Sequence, residues 1–123
     1  MKKLIILFAA LQCIMLASCW HNHKNISFSY TNNDDSYSMD AWFSKSKTRT
    51  AELYMNEKIG KQNNISFVNT ETDAEFTLND GSKFYMQKSP GHIMIKMNKL
   101  DNSYDRFQRI QEMCKGMKDV VLK

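Results

Sequence analysis

Residues 74–97 read AEFTLNDGSKFYMQKSPGHIMIKM, and the alternation of apolar and polar side chains across the two turns decides the fold. Ala74, Phe76 and Leu78 share one phase, as do Phe84 and Met86, and again Ile93, Ile95 and Met97; this is the period of two of a half-buried strand. The turns must keep all three sets on one side of the sheet, because a slip of one residue flips every side chain. A three-residue loop Asn79-Asp80-Gly81, with Gly81 left-handed, sets Phe76 opposite Phe84. A two-residue loop Asp80-Gly81 sets Phe76 opposite Tyr85 and breaks the phase, so the longer loop is expected. At Pro90-Gly91 a fixed φ followed by a positive one suits a turn, and a loop of two or four residues keeps Met86 and Ile93 together.

Upstream, Ile65 and Phe67 alternate and predict a further strand that makes residues 64–97 a four-stranded antiparallel meander. The stretch SKTRTAELYMNEKIGK (46–61) puts Ala51, Tyr54, Met55 and Ile59 on one helical face, with Gly60 as its stop. An extended reading through Ala51, Leu53 and Met55 competes with that helix. Earlier still, Ile26, Phe28 and Tyr30 alternate, as do Tyr37, Met39, Ala41 and Phe43. The intervening TNNDDS is turn chemistry, since Asn and Asp bond back to nearby backbone. Downstream, Phe107, Ile110, Cys114, Met117 and Val121 recur at spacings of three and four, widened by Met113 and Val120, as in a helix with one face on a sheet. Asn102 is the expected N-cap, Asp105 complements the helix dipole, and Gly116 marks a close approach, expected from a strand. The expected fold is α+β: an antiparallel sheet of about six strands, one short helix, and a long C-terminal helix packed on one face. From the second strand the order β-α-β-β-β-β-α is also compatible with a helix-grip-like wrap of the sheet around the last helix.

The first residues follow other rules. Lys2 and Lys3 precede an apolar run, Leu4 to Leu16, broken by Gln12, which is shorter than the roughly 20 residues that cross a bilayer. That is the layout of a secretory signal. Leu16-Ala17-Ser18-Cys19 then resembles the lipobox of bacterial lipoproteins: an aliphatic residue, two small ones, and cysteine. The resemblance covers the first nineteen residues alone. It implies that Leu16, Ala17 and Ser18 are read by the lipoprotein signal peptidase, that the cut precedes Cys19, and that Cys19 carries diacylglycerol and an acylated amine. Two or three acyl chains, at about 0.8 kcal/mol per buried methylene, hold such a protein to a membrane. The expected division is a signal peptide over 1–18, a lipidated tether over 19–25 and a single domain over 26–123. The expected location is the cell envelope, on the periplasmic side of the outer membrane in a Gram-negative cell.

Of seventeen Lys and Arg, fifteen remain once Lys2 and Lys3 leave, against thirteen Asp and Glu, so the mature chain carries +2 rather than the +4 of the whole sequence. Acids concentrate at 71–80 and bases at 83–123. Neither the charge pattern nor an export signal suits a nucleic-acid binder. With Cys13 removed and Cys19 lipidated, Cys114 is left alone on an apolar stripe, where a free thiol packs as a small hydrophobe. Were Cys19 to escape lipidation, a Cys19–Cys114 disulfide becomes the alternative.

Three groups of residues merit weighing as sites. Cys19-Trp20-His21, with His23 following, has the layout that wraps Cu²⁺ or Ni²⁺, but acylation of the amine abolishes it and a polar tether is expected. Glu71, Asp73, Glu75 and Asp80 lack the spacing of a calcium loop and read as a wet strand edge. The outward positions of the meander include Glu75, Thr77, Gln87 and Lys96 together with Tyr85, His92 and Met94, and these last three are the expected interaction face. No phosphate loop, metalloprotease motif, Cys-x-x-Cys or nucleophile elbow occurs, and no metal or cofactor is expected. The leading expectation is a non-enzymatic, membrane-anchored module that binds a protein in the envelope, as an inhibitor, immunity protein or accessory subunit. The alternative is a carrier of a small hydrophobic ligand between sheet and helix, lined by adaptable methionines. An enzyme ranks third.

Overall fold

A computed structural model describes residues 26–123. The signal, the lipobox with Cys19, and the histidines 21 and 23 lie outside the described residues. Five strands, β1 (Ser27–Asn32), β2 (Ser36–Trp42), β3 (Thr72–Thr77), β4 (Lys83–Ser89) and β5 (His92–Asn98), form one antiparallel sheet in the order β1-β2-β5-β4-β3. Helix α1 (Thr48–Met55) follows β2, and the long α2 (Tyr104–Val121) ends the chain. The fold class is therefore α+β, with five strands rather than six.

The meander has the register that the phases demand. Phe76 faces Phe84 across the Asn79-Asp80-Gly81 loop, and the two-residue turn at Pro90-Gly91 pairs Ser89 with His92. Gly81 and Gly91 take φ of 90° and 76°, the left-handed region that a side chain disfavours. One face of the sheet carries Tyr37, Met39, Ala41, Phe84, Met86, Ile93, Ile95 and Met97, all buried against the helices. From α2 the stripe Phe107, Ile110, Met113, Cys114, Met117 and Val121 meets them, and α1 adds Ala51 and Met55. Full burial of each large aliphatic side chain contributes roughly 1.5–3 kcal/mol, so this layer is the main source of stability.

Four local expectations change. The missing strand is residues 64–67, which pass as a loop: Ile65 N–H donates to Gly60 O at 2.9 Å and Phe67 N–H to Asn56 Oδ1 at 2.8 Å. Phe67 is buried all the same, so its alternation with Ile65 records a loop pressed on the core rather than a strand. Gly60 does not stop α1. The helix loosens into a π turn (Asn56–Gly60), tightens into a 3₁₀ turn (Lys61–Asn63), and ends at the left-handed Asn64, φ 56°. Gly60 is needed for closeness instead, because a Cβ there would lie 2.6 Å from Ile65 O. The N-cap of α2 is Ser103, whose Oγ accepts from Arg106 N–H, while Asn102 is drawn away to the backbone of Lys83 and Asn98. Finally, what approaches Gly116 is the Tyr54 hydroxyl of α1, not a strand.

Candidate functional site

Both helices lie on one face of the sheet, which leaves the other face uncovered among the described residues. Because Tyr37, Met39 and Ala41 point inward, Trp42 points out, and it is 50% exposed. Its register partner is His92, and the two rings stack with centroids 3.8 Å apart at 17°. The imidazole is fixed from a second side, since His92 Nε2 lies 2.6 Å from Asp40 Oδ1. A carboxylate only accepts, so Nε2 carries the proton and donates. Asp40, Trp42 and His92 thus form one cluster on the central strand pair, with Met94 directly across from Asp40.

Tyr85, His92 and Met94, the expected interaction residues, all lie on this face, half-buried by their neighbours. His92 and Met94 share the aromatic end. Tyr85 belongs to the opposite end, beside Lys96, which is four residues and roughly 13 Å further along β5 than His92. There the sheet surface forms a groove of about 440 Å³ whose lining includes Ser38, Glu75, Lys83, Tyr85 and Lys96. The Tyr85 hydroxyl donates to Asp73 Oδ1, and that bond to a carboxylate raises the phenol above its usual pKa. The face is therefore aromatic at one end and mixed in charge at the other.

The sequence reading did not single out Trp42 or Asp40. The signal was present in the phase of β2, where an outward tryptophan is the exception.

A second group went unread as well. Lys88 continues the inward phase of Phe84 and Met86, and it is 2% exposed. Its ammonium donates to Glu52 Oε2 at 2.6 Å and to the carbonyl of Thr70. Glu52 lies on the buried side of α1 at helical spacing from Met55 and Ile59. This ion pair lines a cavity of about 550 Å³ between the start of α1, the segment before β3 and the β4–β5 turn.

Among the described residues no group of His, Cys, Asp and Glu is placed to hold a metal ion. Asp73 is engaged by Tyr85, and Asp80 by Arg109 and the Ser82 N–H. Cys114 is buried and forms no disulfide among the described residues, and burial pushes its thiol up to about 12. Comparison with protein-family models, with curated proteins and with solved structures finds no match to this chain.

Proposed function

We propose that this chain is a lipid-anchored protein of the bacterial envelope whose domain binds another protein through the uncovered face of its sheet. The observation that carries the reading is Trp42, half-exposed and stacked on His92 on the face that no helix covers among the described residues. Tryptophan dominates binding hot spots because it offers a large contact area at little cost in conformational entropy, and Met94 and Tyr85 extend that area. Opposite charges on Glu75, Lys83 and Lys96 supply the polar rim of such an interface. The partner's matching surface is accordingly apolar at its centre with charges of both signs at one end, as fits an inhibitor, an immunity protein or an accessory subunit.

The carrier reading needs a methionine-lined space between sheet and helix. It is the weaker one here, since Met39, Met55, Met86, Met97, Met113 and Met117 are all buried as packing between sheet and helices. They fill the space a ligand would need.

The test is co-purification after detergent extraction. A stoichiometric protein should accompany the wild type, be lost from Trp42→Glu, and be retained by Leu53→Glu, which adds the same charge at an exposed position of α1. Retention by Trp42→Glu would overturn the sheet-face interface. The anchor is tested apart from it: Cys19→Ser should shift the protein from the detergent to the aqueous phase and leave the signal uncut. A Ser variant that matures to the same size and stays with membranes would refute the lipobox.

A further inference from the structure

We propose that the cavity over the Glu52–Lys88 pair binds a small organic oxyanion, a carboxylate or a phosphate, through Arg49 and Lys45. It lies on the helix-bearing side of β4, apart from the outer sheet face.

The donors and acceptors that line it do not balance. Lys88 has three N–H groups and, among the described residues, two acceptors, Glu52 Oε2 and Thr70 O. The Lys88 side chain is 1% exposed, so the ion pair forms the floor of the cavity and the exposed Arg49 and Lys45 are its reachable cations. Among the described residues Arg49 makes one contact at the limit of hydrogen bonding, Nη1 to Asn69 Oδ1 at 3.5 Å, which leaves most of its planar fork without a partner there. That fork matches a carboxylate or phosphate edge with two parallel bonds. Lys45 is exposed and makes no side-chain hydrogen bond among the described residues. With Lys88 and Glu52 paired to each other, the lining holds two further cations, Arg49 and Lys45, against one acid, the exposed Glu71.

The surrounding charge tells the same way. Lys45, Lys47 and Arg49 crowd the start of α1, whose first turn has no acid and no side-chain cap. Bases at a helix start oppose its dipole, and a bound anion offsets both. The volume of about 550 Å³ suits a small metabolite rather than a single ion. The second oxygen of Glu52 receives no donor among the described residues, so it favours a ligand that carries a hydroxyl beside its oxyanion, such as a hydroxy acid or a sugar phosphate.

Calorimetric titration of the detergent-purified protein with inorganic phosphate and with malate, at fixed ionic strength, tests the site. At least one probe should saturate with a Kd below about 10 mM. Phosphate alone would assign the phosphate class, and malate alone or more tightly the hydroxy-acid class. Arg49→Gln should weaken the binding at least about tenfold by removing the fork, whereas Lys118→Gln, an equal change of charge on the exposed side of α2, should not. Both variants alter exposed side chains, so the fold is kept. Failure of both probes to saturate would overturn the proposal. So would equal binding by Arg49→Gln, or equal weakening by Lys118→Gln.

Discussion

Tyr37 and Cys114 occupy the centre of the core, where each is sealed from water and where the alkaline limit of stability is set. The Tyr37 hydroxyl is buried without a hydrogen-bond partner among the described residues, while its ring meets Phe107 edge-on at 5.7 Å. Tyr37→Phe keeps the ring contact and removes an unsatisfied group. It should therefore raise the urea midpoint at pH 7 by an amount worth about 1 kcal/mol. A loss of that size would mean that the hydroxyl has a partner. Burial raises the Tyr37 phenol above its ordinary 10.0 and the Cys114 thiol from 9.0 to about 12. The unfolded chain thus releases these protons first. Stability is complete below pH 9 and falls as pH rises from 9 towards 12, by about 1.4 kcal/mol per pH unit for each group in its window. Urea midpoints of the wild type and of Cys114→Ala across pH 8 to 11 check this. The variant should start lower, by about 1 kcal/mol for a small cavity, and decline less steeply between pH 9 and 10. The native thiol should resist alkylating reagents and react only on unfolding, since it is both buried and protonated.

Where α1 crosses α2, Tyr54 Oη donates to Met113 O at 2.9 Å, and a Cβ on Gly116 would lie 2.2 Å from that hydroxyl. Gly116→Ala gains about 1 kcal/mol of helix propensity in principle but must displace the hydroxyl or part the helices. The net effect should be destabilising, and Tyr54→Phe introduced with it should recover part of the loss. Additive losses in thermal unfolding would show that the two residues do not meet. Elements were legible in the sequence wherever two constraints agreed. The register of β3, β4 and β5 follows from apolar phases that the turns at Gly81 and Gly91 can join in few ways, and the stripe of α2 repeats over about four turns. They were illegible where one local signal had rivals. Ile65 and Phe67 show a single alternation, and the Asn56 side chain, eleven positions back, holds that loop in place. Asn102 and Ser103 are both good caps, and only the contact of Asn102 with Lys83 settles which one serves the helix. On the outer face, Tyr85, His92 and Met94 follow from phase alone. Their grouping with Asp40 and Trp42 depends on β2 lying beside β5, a pairing between strands fifty residues apart that no local pattern encodes.

At the scale of the whole molecule, the Glu52–Lys88 pair ties α1, β4 and the segment before β3 together through charges removed from water. Such a pair is a poor source of stability, because desolvating both ions costs about as much as their attraction returns. Lys88→Met alone leaves the Glu52 carboxylate buried without its cation and should destabilise the fold by about 3–5 kcal/mol. Glu52→Leu combined with Lys88→Met removes both charges, and the double variant should be near wild type or more stable by about 1–4 kcal/mol, even though Thr70 O loses its donor. Urea unfolding of the two variants measures the difference. A double variant as unstable as the single one would show that the pair serves the fold. A stable double variant that no longer binds the oxyanion probe would show that the charges are kept inside the molecule for the ligand.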